Sequence, residues 1–190
     1  AGSSTERYLN KFKIVITGNR NSPALILAEL IPVSNKVIAV TGNLTLYGKQ
    51  INKPHTKLAS PVNPGETTIQ VAEDVSAEWS VGDEILILPS QMVAREYEVR
   101  TIGSISGTTI TLTQPVDFYH WGSASVTAST TYGDLDMRAE VYHMTRNIEI
   151  EATRDDNWGG RVVVTQLYDP NTDLFWRGKA VMDGVSMTFL

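Results

Sequence analysis

The sequence predicts an all-β fold: right-handed parallel β-helix coils with a small inserted β-barrel. Three observations carry that reading. Apolar and polar residues alternate with period two along most of the chain. Glycines cut the alternation into short runs, and one stretch, from Gly65 to about His120, spaces its runs more tightly than the rest.

In chain order, Ile14-Val15-Ile16, Val37–Val40 and Leu44–Tyr47 read as strands ended by Gly18, Gly42 and Gly48. Thr67–Val71, Glu84–Leu88, Tyr97–Ile102 and Thr109–Leu112 follow, then Ile148–Ile150, Arg161–Val164 and Val185–Phe189. Ala24–Leu30 and Arg138–Met144 fit helical turns and strands equally well. Between Ile105 and Thr109, Ser106-Gly107 is a hairpin signal. Short strands with tight turns suit a closed barrel, which leaves no exposed edge. Gly82-Asp83 turns the chain into a buried strand, and Trp79 reads as an apolar plug at the barrel mouth. The flanks differ. The strand–Gly–strand–Gly texture of Val37–Gly48 recurs loosely in Arg146–Ile150, Arg161–Val164 and Ala180–Phe189, without clean hairpin turns. That pattern fits stacked coils, which share a core no single coil could bury. The expected organisation is an N-terminal arm (1–24), an all-β domain with its barrel at about 60–122 (25–133), and coils truncated or continued by a neighbour (134–190).

The 190 residues carry 16 basic and 21 acidic side chains, a net charge of -5, with the basic ones scattered. Phosphate neutralisation is therefore a poor fit, and no nucleic-acid partner is expected. No apolar run approaches ~20 residues, so no transmembrane segment is expected. The absence of cysteine excludes disulfides, thiolate zinc sites and cysteine nucleophiles. The opening Ala1-Gly2-Ser3-Ser4, without Met, is that of a processed or excised segment. Val185–Leu190 reads as a strand that stops mid-pattern, leaving Met187 and Phe189 at an open end. Bare edges recruit other chains, so continuation of the polypeptide or self-association is expected there.

Several motifs then line up in order. Lys36-Val37-Ile38-Ala39-Val40, followed by Gly42-Asn43-Leu44-Thr45-Leu46-Tyr47-Gly48-Lys49, resembles the opening of the glycine-eight (G8) domain. Trp79-Ser80-Val81-Gly82-Asp83-Glu84-Ile85, Glu98–Ile102, and Tyr119-His120 with Gly122 are similar to later segments of that domain. Beyond it, Arg138-Ala139-Glu140-Val141, Thr145–Ile148, Trp158-Gly159-Gly160 and Asp183-Gly184-Val185 resemble the coils that follow in fibrocystin, fibrocystin-like proteins and the cell-surface hyaluronidases. The resemblance covers about residues 25–190. It implies an extracellular or cell-surface location and glycans as partners. Two departures mark a distant, microbial or protist member: His55-Thr56-Lys57-Leu58 stands where the family often has Trp-Thr-x-Leu, and cysteine is absent.

Glycosidic cleavage needs two carboxylates in complementary roles. The candidates are Asp134, Asp136, Glu140, Asp155 and Asp156, with His143, Arg138 and Arg146 as charge partners for substrate. The plainer reading makes them solvated turn acids and has Arg146-Asn147 bonding neighbouring coils. Trp79, Gly82, Asp83 and His120 read as structural, His120 closing the barrel. Arg154-Asp155-Asp156-Asn157 offers oxygens to Ca²⁺ but lacks loop-type ligand spacing. His55, His120 and His143 lack zinc spacing. No metal or other cofactor is expected, and no nucleophile elbow, phosphate loop or dinucleotide fingerprint occurs. Asn43-Leu44-Thr45 is the single N-x-S/T sequon, a glycosylation candidate with Asn43 and Thr45 outward and Leu44 and Leu46 inward.

These readings favour a non-catalytic, extracellular or fibre-forming module whose β-helix surface binds glycans or associates with itself. A fragment of a hyaluronan-degrading enzyme is the alternative, and a carbohydrate-binding phage or pathogen fibre is a third reading. The chain alone is not expected to cleave polymer.

Overall fold

The computed structural model describes residues 1–27, 31–123, 127–130, 133–154 and 156–189. Regular structure among them is strand, apart from one 3-10 turn at Ala94–Glu96. The strands are β1 (Phe12–Ile16), β2 (Leu25–Leu27), β3 (Ile31–Ser34), β4 (Val37–Val40) and β5 (Asn43–Tyr47). Next come β6 (His55–Lys57), β7 (Thr68–Gln70), β8 (Glu84–Ile87), β9 (Glu98–Ser106) and β10 (Thr109–Leu112). The remainder are β11 (Thr127–Thr130), β12 (Gly133–Asp136), β13 (Glu140–His143), β14 (Ile148–Ala152), β15 (Arg161–Val164), β16 (Gln166–Asp169), β17 (Leu174–Arg177), β18 (Lys179–Asp183) and β19 (Val185–Thr188). The all-β expectation holds.

The chain divides into two compact units, Ala1–Gln50 with Arg146–Leu190, and Ile51–Thr145. This grouping differs from the division 1–24, 25–133 and 134–190 drawn on the sequence. Strand β1, in the supposed arm, pairs with β14, while β13, assigned to the coils, pairs with β6 and β8.

In the first unit, three of the four parallel pairs join a strand before the second unit in sequence to one after it. Strand β14 lies between β1 (Phe12↔Ile148) and β19 (Ile148↔Val185). Strand β15 pairs with β4 (Arg161↔Val37), and β18 with β5 (Lys179↔Asn43). The core follows from alternation. Ile148, Ile150 and Ala152 of β14 are fully buried beside Ile16 and Leu46, while Glu149 and Glu151 turn outward and both meet the Lys13 ammonium. Asn147 ties neighbouring segments: its Nδ2 donates to the carbonyls of Tyr8 and Asn10, and its Oδ1 accepts from the Lys49 amide at 2.7 Å. Gly48 is required there, because a Cβ would sit 2.3 Å from the Gly184 carbonyl oxygen. The β19 strand has a partner on one side only among the described residues, and Met187 within it and Phe189 just after it are exposed.

The second unit is antiparallel, in the order β6-β13-β8-β9-β10-β7. An isolated bridge between Leu58 and Val71 joins the two edge strands, and a second links Val62 to His120. Its core is aliphatic (Leu58, Ile69, Ile85, Ile87, Ile102 and Ile110 are all at 0% exposure) and surrounds Trp79. Burial of such side chains, each contributing ~1.5–3 kcal/mol, dominates the stability of a unit this size.

Both ambiguous segments contain strands. Within Arg138–Met144, Val141 and His143 are buried while Glu140 and Tyr142 are half-exposed, a period-two pattern. Within Ala24–Leu30, residues 25–27 form β2; residues 28–30 lie outside the described residues. Strands β3, β6, β11, β12, β16 and β17 were not expected. In β17, Leu-Phe-Trp-Arg is exposed along its whole length, so no burial alternation announces it.

Candidate functional site

Among the described residues, the carboxylates proposed for chemistry do not assemble an acid–base pair. Asp136, at the end of β12, is gripped by Arg138 (Nε 3.0 Å, Nη2 2.8 Å) and by Lys57 at 3.1 Å. The Arg138 hydrogen bonds hold its carboxyl well below the usual carboxylate range, and Arg138 is raised in return. A general acid needs the opposite shift. Glu140 accepts the Tyr142 hydroxyl at 2.6 Å, which raises that phenol, and the Tyr142 ring stacks on His55 at 5.3 Å. His143 faces the core instead: it is buried, 2.9 Å from Asp83 Oδ2, with its ring against Trp79. Asp134 stands on β12 opposite Ser129, and Arg146 belongs to the first unit. Asp155 lies outside the described residues. Asp156 accepts the amides of Arg20 (2.7 Å) and Trp158 (3.1 Å), which lower its carboxyl.

The residues read as structural occupy framework positions. Trp79 is 1% exposed, and its Nε1 donates to the Lys53 carbonyl at 2.8 Å. Gly82 takes φ +88, a left-handed turn that lets Asp83 accept the Ser80 amide. His120 is fully buried; its Nδ1 lies 3.1 Å from the Leu88 carbonyl and its Nε2 2.9 Å from Glu98 Oε1. A carbonyl only accepts, so Nδ1 carries the hydrogen that reaches Leu88. Glu98 also receives the amides of Asp117 and Phe118 and the Arg100 guanidinium. Asn43 opens β5, exposed together with Thr45, while Leu46 is buried.

A different group of residues forms a site. In the first unit, the Trp158 indole is flanked by the guanidiniums of Arg20, 5.0 Å from its ring centre, and Arg161, 5.5 Å away. Arg154 stacks 3.5 Å over the Phe189 ring. Arg154, Trp158 and Phe189 border a cavity of about 430 Å³, into which Thr153, Asn157 and Gly159 also face, and Trp158 with Arg161 borders a smaller one of about 270 Å³ beside Gly159 and Gly160. The indole is fixed from behind: its Nε1 donates to Asn35 Oδ1 at 2.8 Å, and the Asn35 amide donates to the carbonyls of Asn19, Arg20 and Ser22. Lys36, 1% exposed, donates its ammonium to the carbonyls of Trp158 (2.8 Å) and Thr153. Asn157, at φ +57, turns the chain tightly ahead of Trp158.

The chemistry of this corner is cationic in a chain of net charge -5. Among the described residues, none of the Arg20, Arg154 and Arg161 guanidiniums lies within ion-pair distance of a carboxylate or donates a side-chain hydrogen bond, although the Arg20 charge helps to hold the Asp156 carboxyl low. Stacking on a ring holds a guanidinium by its face and leaves its in-plane N–H donors pointing outward. Thr153 Oγ1, also at this cavity, is buried without a partner. The sequence showed Trp158-Gly159-Gly160 only as a resemblance. Arg20, brought in from the far side of the second unit in sequence, carries no local signal.

Comparison with known proteins gives a family and relatives. The G8 domain family matches residues 1–59. Protein rliB of Dictyostelium discoideum is 31% identical over 170 residues, which cover 86% of this chain and 14% of that protein. Fibrocystin-L of Mus musculus is 32% identical over 166 residues, covering 85% of this chain and 4% of that protein. The chain thus spans 14% or less of the length of these relatives. Among solved structures, the tailspike gp61 of Pseudomonas phage phi297 aligns with a TM-score of 0.40 at 12% identity, over 96% of this chain and 37% of that one; similarity at this level carries no argument.

Proposed function

This chain belongs to the G8 domain family, and from that premise we propose that it is a non-catalytic, extracellular module that binds acidic saccharides. The fold reading that accompanies the proposal takes the parallel pairs of the first unit as coils of a right-handed β-helix. It takes the second unit, whose edge strands are bridged at Leu58–Val71, as a small closed barrel.

The observation that carries the functional reading is the set of three ring-stacked guanidiniums with unused donors around Trp158. Arginine forks match carboxylate and sulfate oxygens in two-point geometry. The rings pre-order the forks and reduce the entropy lost on binding. The family resemblance supports extracellular placement, and an exposed sequon at Asn43 accords with it. Cleavage is disfavoured, since Asp136 is committed to Arg138 and Lys57 and is poorly suited to donate a proton.

A glycan array probed with the purified chain tests this. Retention on uronate- or sulfate-bearing saccharides is expected, with Arg154→Ala and Arg161→Ala each weakening it roughly tenfold, as for a lost charge-assisted pair of ~1.5–3 kcal/mol. Retention of no saccharide, or retention indifferent to both substitutions, refutes the reading.

A further inference from the structure

We infer that the second unit carries a separate docking groove for a polypeptide segment with two or three large apolar side chains flanked by lysine or arginine. The groove, about 820 Å³, is lined by Leu86, Leu88, Met92, Tyr97, Val99 and Met144.

Its origin is an irregularity of strand β8. Ile85 and Ile87 fill the core at 0% exposure, so Leu86, like Leu88 just beyond the strand, faces the other way. A strand that is apolar on both faces is normally covered on both. Here, among the described residues, the second face is extended instead of covered. Val99 stands opposite Leu86 in register, and Met144 follows β13. Met92 is 106% exposed, Tyr97 57% and Met144 46%. Two flexible methionines suit a surface that adapts to its guest.

Charge selects the occupant. Glu84 shares the Leu86 face of β8, and Glu140 lies beside Leu88, whose amide donates to the Glu140 carbonyl at 2.9 Å. Among the described residues neither carboxylate is within ion-pair distance of a cation. Lys57, opposite Glu140, is committed to Asp136 at 3.1 Å. Arg95 and Glu96 offset one another on the adjoining turn. An apolar floor with acidic ends fits an apolar segment with basic ends. A second copy fits poorly: two-fold pairing would set Glu84 and Glu140 against acidic counterparts, and six side chains fall short of the ~800 Å² per partner of a stable interface. An anionic lipid surface would meet the same repulsion.

The test is fluorescence anisotropy with labelled synthetic peptides that share a leucine–valine centre and differ only in lysine or glutamate ends. The lysine-ended peptide is expected to bind about tenfold more tightly than the glutamate-ended one. The double variant Glu84→Gln/Glu140→Gln should remove most of that difference. Met92→Ser with Val99→Thr should weaken both peptides, with the melting temperature near wild type because both side chains are exposed. Binding of neither peptide to the wild-type chain, or equal binding of both, overturns the inference. So does a dimer in sedimentation that Met92→Ser dissolves, or binding to phosphatidylserine vesicles in place of peptide.

Discussion

Replacing Trp79 with alanine removes the largest side chain of the second unit's core. The indole is 1% exposed, lies among Ile, Leu and Val side chains, and packs against the His143 ring at 5.3 Å. Truncation of a buried aromatic costs about 3–5 kcal/mol. The Lys53 carbonyl, which accepts Nε1–H at 2.8 Å, loses its partner for about 1 kcal/mol more. The total, about 4–6 kcal/mol, approaches the entire stability of a typical domain, ~5–15 kcal/mol. For a unit of about a hundred residues each kcal/mol lowers the melting temperature by roughly 4–8 °C, so a fall of at least 15 °C is expected. Hydrogen exchange read by mass spectrometry gives the location. Amides of Ile85, Ile102 and Ile110 should lose protection before those of Ile148 and Ile150. Trp79→Phe, which keeps the ring and loses the N–H donor, should fall between. A Trp79→Ala chain that melts within a degree or two of wild type refutes the placement of this residue as a core plug.

Further outcomes follow from named contacts. Glu98→Ala should destabilise by about 3–5 kcal/mol in urea titration, because it strands the buried His120 Nε2 and two amides and takes one of its two carboxylates from Arg100; a loss under 1 kcal/mol would contradict that network. Asp136 is depressed in the fold, so its contribution is full above the ordinary carboxylate range and is lost progressively as pH falls from there toward the depressed value. The stability gap between wild type and Asp136→Asn should therefore be full at pH 7 and narrow steadily below about pH 4, and a gap constant with pH would sink the account. Expressed through a eukaryotic secretory pathway, the chain should carry one N-glycan, removed by Asn43→Gln with no change in melting, since Asn43 is exposed. An unshifted mass in the wild-type chain would remove that expectation.

How much of this was legible depended on whether the cause was local. Strand β8 announces itself, with Ile85 and Ile87 inward and a turn at Gly82 set by left-handed φ. Strand β14 does so as well, through Ile148, Ile150 and Ala152. By contrast, β6 is His-Thr-Lys, three residues with no apolar alternation, and exists because β13 lies beside it. The parallel pairing of Phe12 with Ile148 and of Val37 with Arg161 joins residues more than a hundred positions apart, and no periodicity encodes a partner. Lys36 entered the sequence reading only as the first residue of the Lys36–Val40 resemblance. It is buried, because two carbonyls from the far end of the chain converge on its ammonium. The Trp158 site was invisible for the same reason. Its indole lay in view within Trp158-Gly159-Gly160, but the arginines that give it chemistry come from the turn after β1, the end of β14 and the start of β15.

The central claim is binding without cleavage, and a single incubation with a size-defined acidic polysaccharide such as hyaluronan measures both. The purified chain is mixed with labelled polymer, and the bound fraction and the polymer length are read from one light-scattering chromatogram over time. The account predicts polymer that co-elutes with the chain, is released by Arg154→Ala/Arg161→Ala, and keeps its initial length throughout. Progressive shortening of the polymer by the wild-type chain, abolished by Asp136→Asn or Glu140→Gln, would contradict it.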